Sequence, residues 1–288
     1  MATDVESAEG PHKVRPVTPL GILSARLERI RSRVERLAPD DAELQSELRE
    51  ACDLAGGMDP YLARSTTPES ADLDQLNRRT LAENWSPGPD GPEPDGQATG
   101  GLEPEMLSGH VEGQFLKFLV AATGARRVLE IGMFSGYSAL AMAEALPEDG
   151  RLITCEIDGS AARFAERNFA GSSAGEKISI EVAPAIRTLE RLAAAGQSFD
   201  LIFIDADKGG YVEYFHSVLD GGLLAPGGII CADNTLMQGR PWLAGEADEN
   251  GDAIALFNRT VAEDPRVEQV LVPLRDGVTL IRRVGPQA

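Results

Sequence analysis

Between Val128 and Glu263, five short apolar runs alternate with five amphipathic stretches. The runs are Val128–Ile131, Leu152–Ile157, Ile178–Val182, Leu201–Asp205 and Gly228–Ala232. The stretches are Gly136–Leu146, Gly159–Phe169, Ala185–Ala195, Gly210–Leu219 and Asp252–Glu263. A continuous apolar run reads as a strand buried on both faces. Strand–helix alternation reads as a parallel sheet with helices on either side. Two further runs, Val267–Leu274 and Val278–Val284, are joined through Asp276-Gly277, a tight-hairpin signal. The pattern predicts an α/β fold whose seven-stranded sheet is mostly parallel and closes on an antiparallel hairpin. A dinucleotide-binding fold would continue with another parallel strand.

In open α/β sheets, ligands bind outside the carboxyl ends of the strands. The stretch Asp200–Lys208, DLIFIDADK, places Asp205, Asp207 and Lys208 at such an end. A sister stretch, GIICADN, places Asp233 and Asn234 at the next. Two carboxylates and an amide oxygen are a donor set for a hard cation. Taken alone, either run is equally a strand that ends in a solvated acidic turn.

The first run opens a glycine turn, Leu129-Glu130-Ile131-Gly132-Met133-Phe134-Ser135-Gly136-Tyr137-Ser138. Gly132 allows close backbone approach to a ligand, and Gly136 tightens the helix start. The spacing is not GxGxxG, and Glu130 precedes it. A pyrophosphate wants amide donors and no nearby carboxylate, whereas a carboxylate suits an amino-bearing ligand. Glu156, at the end of the second run, is placed to take both hydroxyls of a ribose. Together they describe a nucleoside with a positive amino-acid tail, which S-adenosylmethionine (SAM) fits and NAD fits poorly.

The rest of the chain is organised around this region. Residues 1–16 are polar and read as a disordered tail. Residues 17–85 read as an N-terminal helical appendage. Its first helix starts at Thr18-Pro19 with an apolar stripe from Leu20 to Leu37. Its second is capped by Asp40 or Asp41 and ended by Gly56-Gly57, and its third covers Ser70–Glu83. Residues 86–101, with four prolines and five glycines, read as a linker or surface loop. Residues 102–288 form the α/β domain, entered by a helix over Met106–Thr123.

A net charge of −19 argues against nucleic acid or an anionic membrane surface as partner. Three cysteines without CxxC spacing, and a polar start unlike a signal peptide, predict a cytoplasmic protein. His12, His110 and His216 are scattered, and Tyr211 and Tyr214 stand at helical spacing as packing residues. Arg240–Gly251 is equally a plain surface loop and a substrate lid with Trp242 as a wall. Arg240 and Arg275 are further candidate substrate contacts.

From about Met58 to Val284 the chain resembles the cation-dependent, caffeoyl-CoA/catechol-like class of SAM O-methyltransferases. The resemblance is carried by EGQFL (Glu112–Leu116), LEIGMFSGYS, the APA of Ala183–Ala185, FIDADK, ADNTL (Ala232–Leu236) and DGVTLIRR (Asp276–Arg283). It implies a Rossmann-like SAM methyltransferase sheet, a divalent cation, magnesium above all, and a homodimer with the N-terminal helices as interface. It places the metal ligands on Asp205, Asp233 and Asn234. It places the cofactor contacts on Ser108, Glu130, Gly132, Met133, Ser138, Glu156, Ala185 and Asp207. The general base falls on Lys208, beside Asp205. Val111, Glu156 and Met237 stand where the family commonly has an acid, an aspartate and a tryptophan.

A narrower likeness covers nearly the whole chain. RPVTPLGIL (Arg15–Leu23), MDPYL…TTPES (Met58–Ser70), EMLSGHVEGQ (Glu105–Gln114) and DPRVEQVL (Asp264–Leu271) resemble the O-methyltransferases of mycosporine biosynthesis. That likeness implies methylation of a demethyl-4-deoxygadusol cyclohexenone to 4-deoxygadusol. A catechol or a caffeoyl-CoA ester is the alternative acceptor. An NAD-dependent dehydrogenase is the reading from another class, and the missing GxGxxG speaks against it.

Overall fold

The computed structural model describes residues 15–85, 102–243 and 248–285. The predicted tail up to residue 14, the linker at 86–101 and part of the 240–251 loop lie outside the described residues. Arg15 and Pro16, the last two residues assigned to that tail, are described. Arg15 pairs with Glu103 at 3.2 Å.

Three helices come first: α1 (Pro19–Leu37), α2 (Ala42–Ser65) and α3 (Ala71–Ala82). The α/β part follows as α4 (Gly109–Thr123), β1 (Arg127–Ile131), α5 (Tyr137–Ala145), β2 (Arg151–Glu156) and α6 (Gly159–Phe169). It continues with β3 (Ile178–Val182), α7 (Ala185–Ala194), β4 (Phe199–Ile204), α8 (Tyr211–Asp220), β5 (Leu224–Ala232) and α9 (Glu249–Glu263). The hairpin strands are β6 (Val267–Val272) and β7 (Val278–Arg283).

The sheet runs in the order β3-β2-β1-β4-β5-β7-β6. Strands β1 to β5 pair in parallel, and β7 inserts antiparallel between β5 and β6. The strand order reverses between β1 and β4. The crevice above that reversal is where ligands bind in open sheets of this kind. The core forms two layers. On one side of the sheet Leu140, Leu116, Val128 and Phe203 pack with α4 and α5. On the other, Ile131, Ile202, Phe215 and Phe257 pack with α7 to α9.

The N-terminal stretch divides in two. In α1 no residue is buried, and in α2 only Cys52 is. In α3, by contrast, Leu73 and Leu76 are fully buried in the same core as α4 and α5. Trp85, just past α3, lies against Phe134 and Phe164 with ring centroids 4.6 and 4.9 Å away.

Three local expectations change. Helix α2 does not stop at Gly56-Gly57 but runs on through Pro60 to Ser65. A Cβ on Gly56 would meet Ser24 Oγ at 3.3 Å, so the glycine there serves the close packing of α1 on α2. The entry helix begins at Gly109 rather than Met106, after a single 3-10 turn over Pro104–Met106. The Asp276-Gly277 signal does not make a two-residue hairpin. Val272 pairs with Val278, leaving a loop of five residues, 273–277, with Arg275 and Gly277 both at positive φ. Pro273 lacks the N–H that would continue the ladder. Asp276 is spent on the chain after β5, where its carbonyl and its carboxylate accept from the amides of Leu236 and Gln238.

Candidate active site

The predicted site residues fall along one edge, at the carboxyl ends of β1 to β5. Glu130 is the penultimate residue of β1, Gly132 and Met133 form the turn behind it, and Ser138 lies in the first turn of α5. Glu156 ends β2, Ala185 opens α7 after β3, and Asp205, Asp207 and Lys208 follow β4. Asp233 and Asn234 follow β5, and Ser108 precedes α4.

At the β1–β2 end the acids are held by the chain itself. Glu130 is fully buried and accepts from Ser138 Oγ at 2.6 Å and from Thr154 Oγ1 at 2.5 Å. Burial pushes its carboxyl up to about 8, against the pull of those two hydroxyls. Glu156 accepts from the backbone amides of Phe134 at 2.7 Å, Met133 at 3.3 Å and Asp158 at 2.8 Å. It therefore braces the glycine turn from below, a role that the sequence reading did not assign to it. Burial raises its carboxyl, and the amides work the other way. Ser135 Oγ, inside the same turn, is buried with no hydrogen-bond partner among the described residues. An orphaned hydroxyl in a glycine turn fits a polar ligand seated there.

Gly132 has φ 92°, and a Cβ on it would lie 2.0 Å from the carbonyl oxygen of Asp205. The close approach is thus to the backbone that carries Asp205. Ile131 O also accepts from Asp205 N at 2.8 Å. Gly136, at φ 88°, lies so close to Phe169 that a Cβ would meet its ring at 2.5 Å. That glycine fixes how tightly α5 starts against α6.

At the β4–β5 end, Lys208 Nζ donates to Asp205 Oδ1 at 3.0 Å and to Tyr211 Oη at 2.8 Å. Tyr211 is fully buried, and its hydroxyl donates to Asp233 O at 3.1 Å. It packs, as its spacing predicts, and also anchors the lysine. Asp207 turns back on its own segment, accepting from Gly210 N at 2.9 Å and Tyr214 Oη at 2.5 Å. Asp233 is buried, and its Oδ1 has no partner among the described residues. Burial first, and the neighbouring Asp205 second, raise its carboxyl, while Lys208 lowers it. Asn234 takes up the left-handed conformation, φ 56°, which asparagine tolerates better than most residues.

The donor set of Asp205, Asp233 and Asn234 fits a hard cation in chemistry, and the orphaned Asp233 oxygen fits it in bonding. Among the described residues, no three acidic, histidine or cysteine side chains form a ready-made metal cage.

Sequence reasoning missed Glu112 as a site residue. It is 1% exposed, its Oε1 is unpartnered among the described residues, and its Oε2 lies 3.6 Å from Arg275 Nε. Burial and then Asp233 push its carboxyl well above the usual range. The signal was present: Glu112, Leu116 and Val120 stand four residues apart, and all are buried. An acid heading a buried helical stripe needs a reason to be there. Of the other candidates, His110 is engaged with Thr67 O at 2.7 Å. Arg240 pairs with Asp248 at the start of α9, and Trp242 is 58% exposed.

A family model described as O-methyltransferase matches residues 97–284. The chain is 39% identical over 188 residues to caffeoyl-CoA O-methyltransferase 2 of Zea mays, spanning 62% of this chain and 70% of that protein. It is 35% identical over 189 residues to caffeoyl-CoA O-methyltransferase of Petroselinum crispum, spanning 62% and 78%. Among solved structures, SAH-bound PaMTH1, a methyltransferase of Podospora anserina, superposes with a TM-score of 0.68 at 28% identity. That match covers 81% of this chain and 96% of PaMTH1. The O-methyltransferase TomG of Streptomyces achromogenes, in complex with SAM, gives 0.65 at 27% identity, covering 80% and 96%. The sheet order, the acid-lined glycine turn and the matched family agree: the chain belongs to the O-methyltransferase family and is a SAM-dependent O-methyltransferase.

Proposed function

We propose that the enzyme is cation-dependent and methylates one of two vicinal oxygens on a small acceptor. The observation that carries this is that Asp205, Asp233 and Asn234 follow the ends of adjacent strands, with Asp233 Oδ1 buried and without a partner among the described residues. Those three residues would hold the ion, magnesium being the simplest choice for an all-oxygen set. When bound, such an ion lowers the pKa of a chelated hydroxyl and orients it.

The reaction breaks the S–CH3 bond of a sulfonium, forms an O–CH3 bond and releases one proton. Glu130, Gly132, Met133 and Ser138 surround the turn that would seat the donor's amino-acid end, with Ser108, Ala185 and Asp207 along the same edge. Glu156, through the turn it braces, would define the ribose end. Lys208 is the group placed to receive the proton. Its Nζ sits beside Asp205 and 4.8 Å from the centre of the Tyr211 ring.

The acceptor we favour is demethyl-4-deoxygadusol, giving 4-deoxygadusol, a step of mycosporine biosynthesis. Support comes from the sequence likeness given above, part of which, the segment at 66–70, lies outside the matched family region and packs against residues of the glycine turn and α4. There Glu69 accepts from Tyr137 Oη at 2.5 Å, and Thr67 O engages His110. A second reading, a catechol or caffeoyl-CoA acceptor, is favoured by the names of the curated relatives. Exposed Leu23, Leu37 and Leu54 on α1 and α2 offer apolar surface for the homodimer that belongs to this reading.

The test is release of S-adenosylhomocysteine from SAM with each acceptor, with magnesium and with excess EDTA. We expect turnover of the cyclohexenone to exceed that of caffeoyl-CoA and of a simple catechol, and to stop in EDTA. Faster turnover of either alternative acceptor overturns the substrate. Full activity in EDTA overturns the cation.

A further inference from the structure

The glycine turn behind β1 contains a residue whose backbone is strained. Phe134 sits at φ 52°, in the left-handed region that residues with side chains rarely adopt. Such a conformation persists only where its surroundings over-determine it. Two contacts hold it here. On the backbone side, the Phe134 amide donates to Glu156 Oε2 at 2.7 Å. On the side-chain side, the Phe134 ring meets the indole of Trp85, with centroids 4.6 Å apart and planes tilted by 49°. Trp85 lies just past α3 and precedes the matched family region, which begins at residue 97.

The indole is itself firmly placed. Its Nε1 donates to Thr80 O near the end of α3 at 2.9 Å. Its ring also meets Phe164 of α6 edge-on at 4.9 Å, a distance at which aromatic pairs attract beyond their burial. Helix α3 is fixed in turn. Leu73 and Leu76 are buried in the core, and Arg79 Nη1 donates to Asn168 Oδ1 of α6 at 2.8 Å. Glu69, just ahead of α3, accepts from Tyr137 Oη at 2.5 Å. Tyr137 directly follows Gly136, so residues 69–85 grip the turn region at two points, Phe134 and Tyr137. We infer that Trp85 is a positioning residue for SAM: by holding the Phe134 ring, it keeps the glycine turn in its binding shape before the donor arrives. The inference rests on the donor seat proposed above. A ligand whose site is formed in only part of the free molecules binds more weakly in proportion to that fraction. If loss of the indole leaves the turn formed in about a tenth of them, apparent affinity falls about 10-fold.

The experiment is a calorimetric titration of the full chain with S-adenosylhomocysteine (SAH), paired with thermal melts. The proteins are wild type, Trp85→Leu, Trp85→Phe, Phe134→Leu and the double variant Trp85→Leu/Phe134→Leu. We expect Trp85→Leu to bind SAH about 10-fold more weakly at a temperature where its melt shows it folded. Trp85→Phe keeps a ring against Phe134 and should stay close to wild type, although it loses the bond to Thr80. In the Phe134→Leu background, Trp85→Leu should weaken binding little further, because the contact it removes is already gone. A lower melting temperature for Trp85→Leu with unchanged SAH affinity assigns the indole to packing alone and overturns the inference. Equal losses from Trp85→Leu in both backgrounds overturn it too. Gly132→Ala separates this outcome from the donor seat. Weaker SAH binding there, with none lost in Trp85→Leu, overturns the role of Trp85 and spares the seat; unchanged affinity in both variants overturns both. Should Trp85→Leu fail to fold, Trp85→Met also removes the ring, and unchanged SAH affinity there overturns the inference equally.

Discussion

The buried acids at the two ends of the catalytic edge are satisfied in opposite ways. Around β1 and β2, all four carboxylate oxygens of Glu130 and Glu156 meet hydroxyls or amides of the chain itself. Around β4 and β5, Glu112 and Asp233 each keep an oxygen that meets nothing among the described residues. The first end is complete once the chain has folded, and it shapes the glycine turn behind β1. The second keeps buried carboxyl oxygens without hydrogen-bond partners among the described residues, and burying a polar group unpaired costs free energy. A fold keeps such a cost where function uses it. On the proposed function, the difference separates what the protein builds for itself from what it leaves for an incoming ion and acceptor.

The strongest way to break this contrast is Asp205→Ala. If the β4–β5 end works through a cation, turnover should fall roughly 10³-fold, equivalent to about 4 kcal/mol of lost transition-state stabilisation. SAM affinity measured by calorimetry should stay close to wild type, because the β1–β2 end is intact. Retained turnover would mean that the cation site lies elsewhere. A second variant attacks the joint between the two ends. In Gly132→Ala, the new Cβ would be pressed against Asp205 O at a position with φ 92°. We expect a loss of about 2–3 kcal/mol in urea denaturation, together with weaker binding of SAM. Wild-type stability would show that the strands part more freely than their contact implies.

A third variant, with the smallest effect per step, sharpens the contrast through pH. Glu130 goes from an ordinary 4.5 to about 8 in the folded protein. Between those values the native state holds a proton that the unfolded chain has lost. The acid's contribution to stability is therefore complete below about 4.5 and is lost as pH rises toward 8. Glu130→Gln keeps hydrogen-bonding capacity toward Ser138 and Thr154 but does not titrate. Its stability should fall less steeply than wild type from pH 5 to 8, by about 1 kcal/mol per pH unit. Parallel stability–pH curves for the two proteins would show that Glu130 is already ionised in the fold.

Much of this was legible in the sequence because period and position carry direct physical meaning. Apolar runs such as Leu201–Ile204 become buried strands, and the acids just past them reach the carboxyl edge. The alternation, the closing hairpin and the strand-end set Asp205, Asp233 and Asn234 follow from these rules alone. What escaped depends on tertiary partners. Gly56-Gly57 reads as a helix end unless α1 is known to pack against it. Leu73 and Leu76 read as an ordinary amphipathic stripe, with no hint that their cover is the main core. Glu156 is positioned for a ribose by its place in the chain, but its bonds to the Met133 and Phe134 amides exist only once β1 and β2 pair. Glu112 was hidden for a similar reason: its partners, Asp233 and Arg275, are more than a hundred residues away in sequence.

The contact between Gly132 and the Asp205 carbonyl has a consequence for how such an enzyme diversifies. The turn behind β1 and the acid behind β4 share a backbone joint with no side chain between them. The spacing between that turn and that acid is therefore inherited with the sheet, and surface substitutions leave it alone. Changes in α1, α2 or the segment after Met237 can reshape the acceptor's surroundings while that spacing persists. On the proposed function, new acceptors are then reached by redecorating a fixed gauge, held at a glycine whose place a side chain could not take.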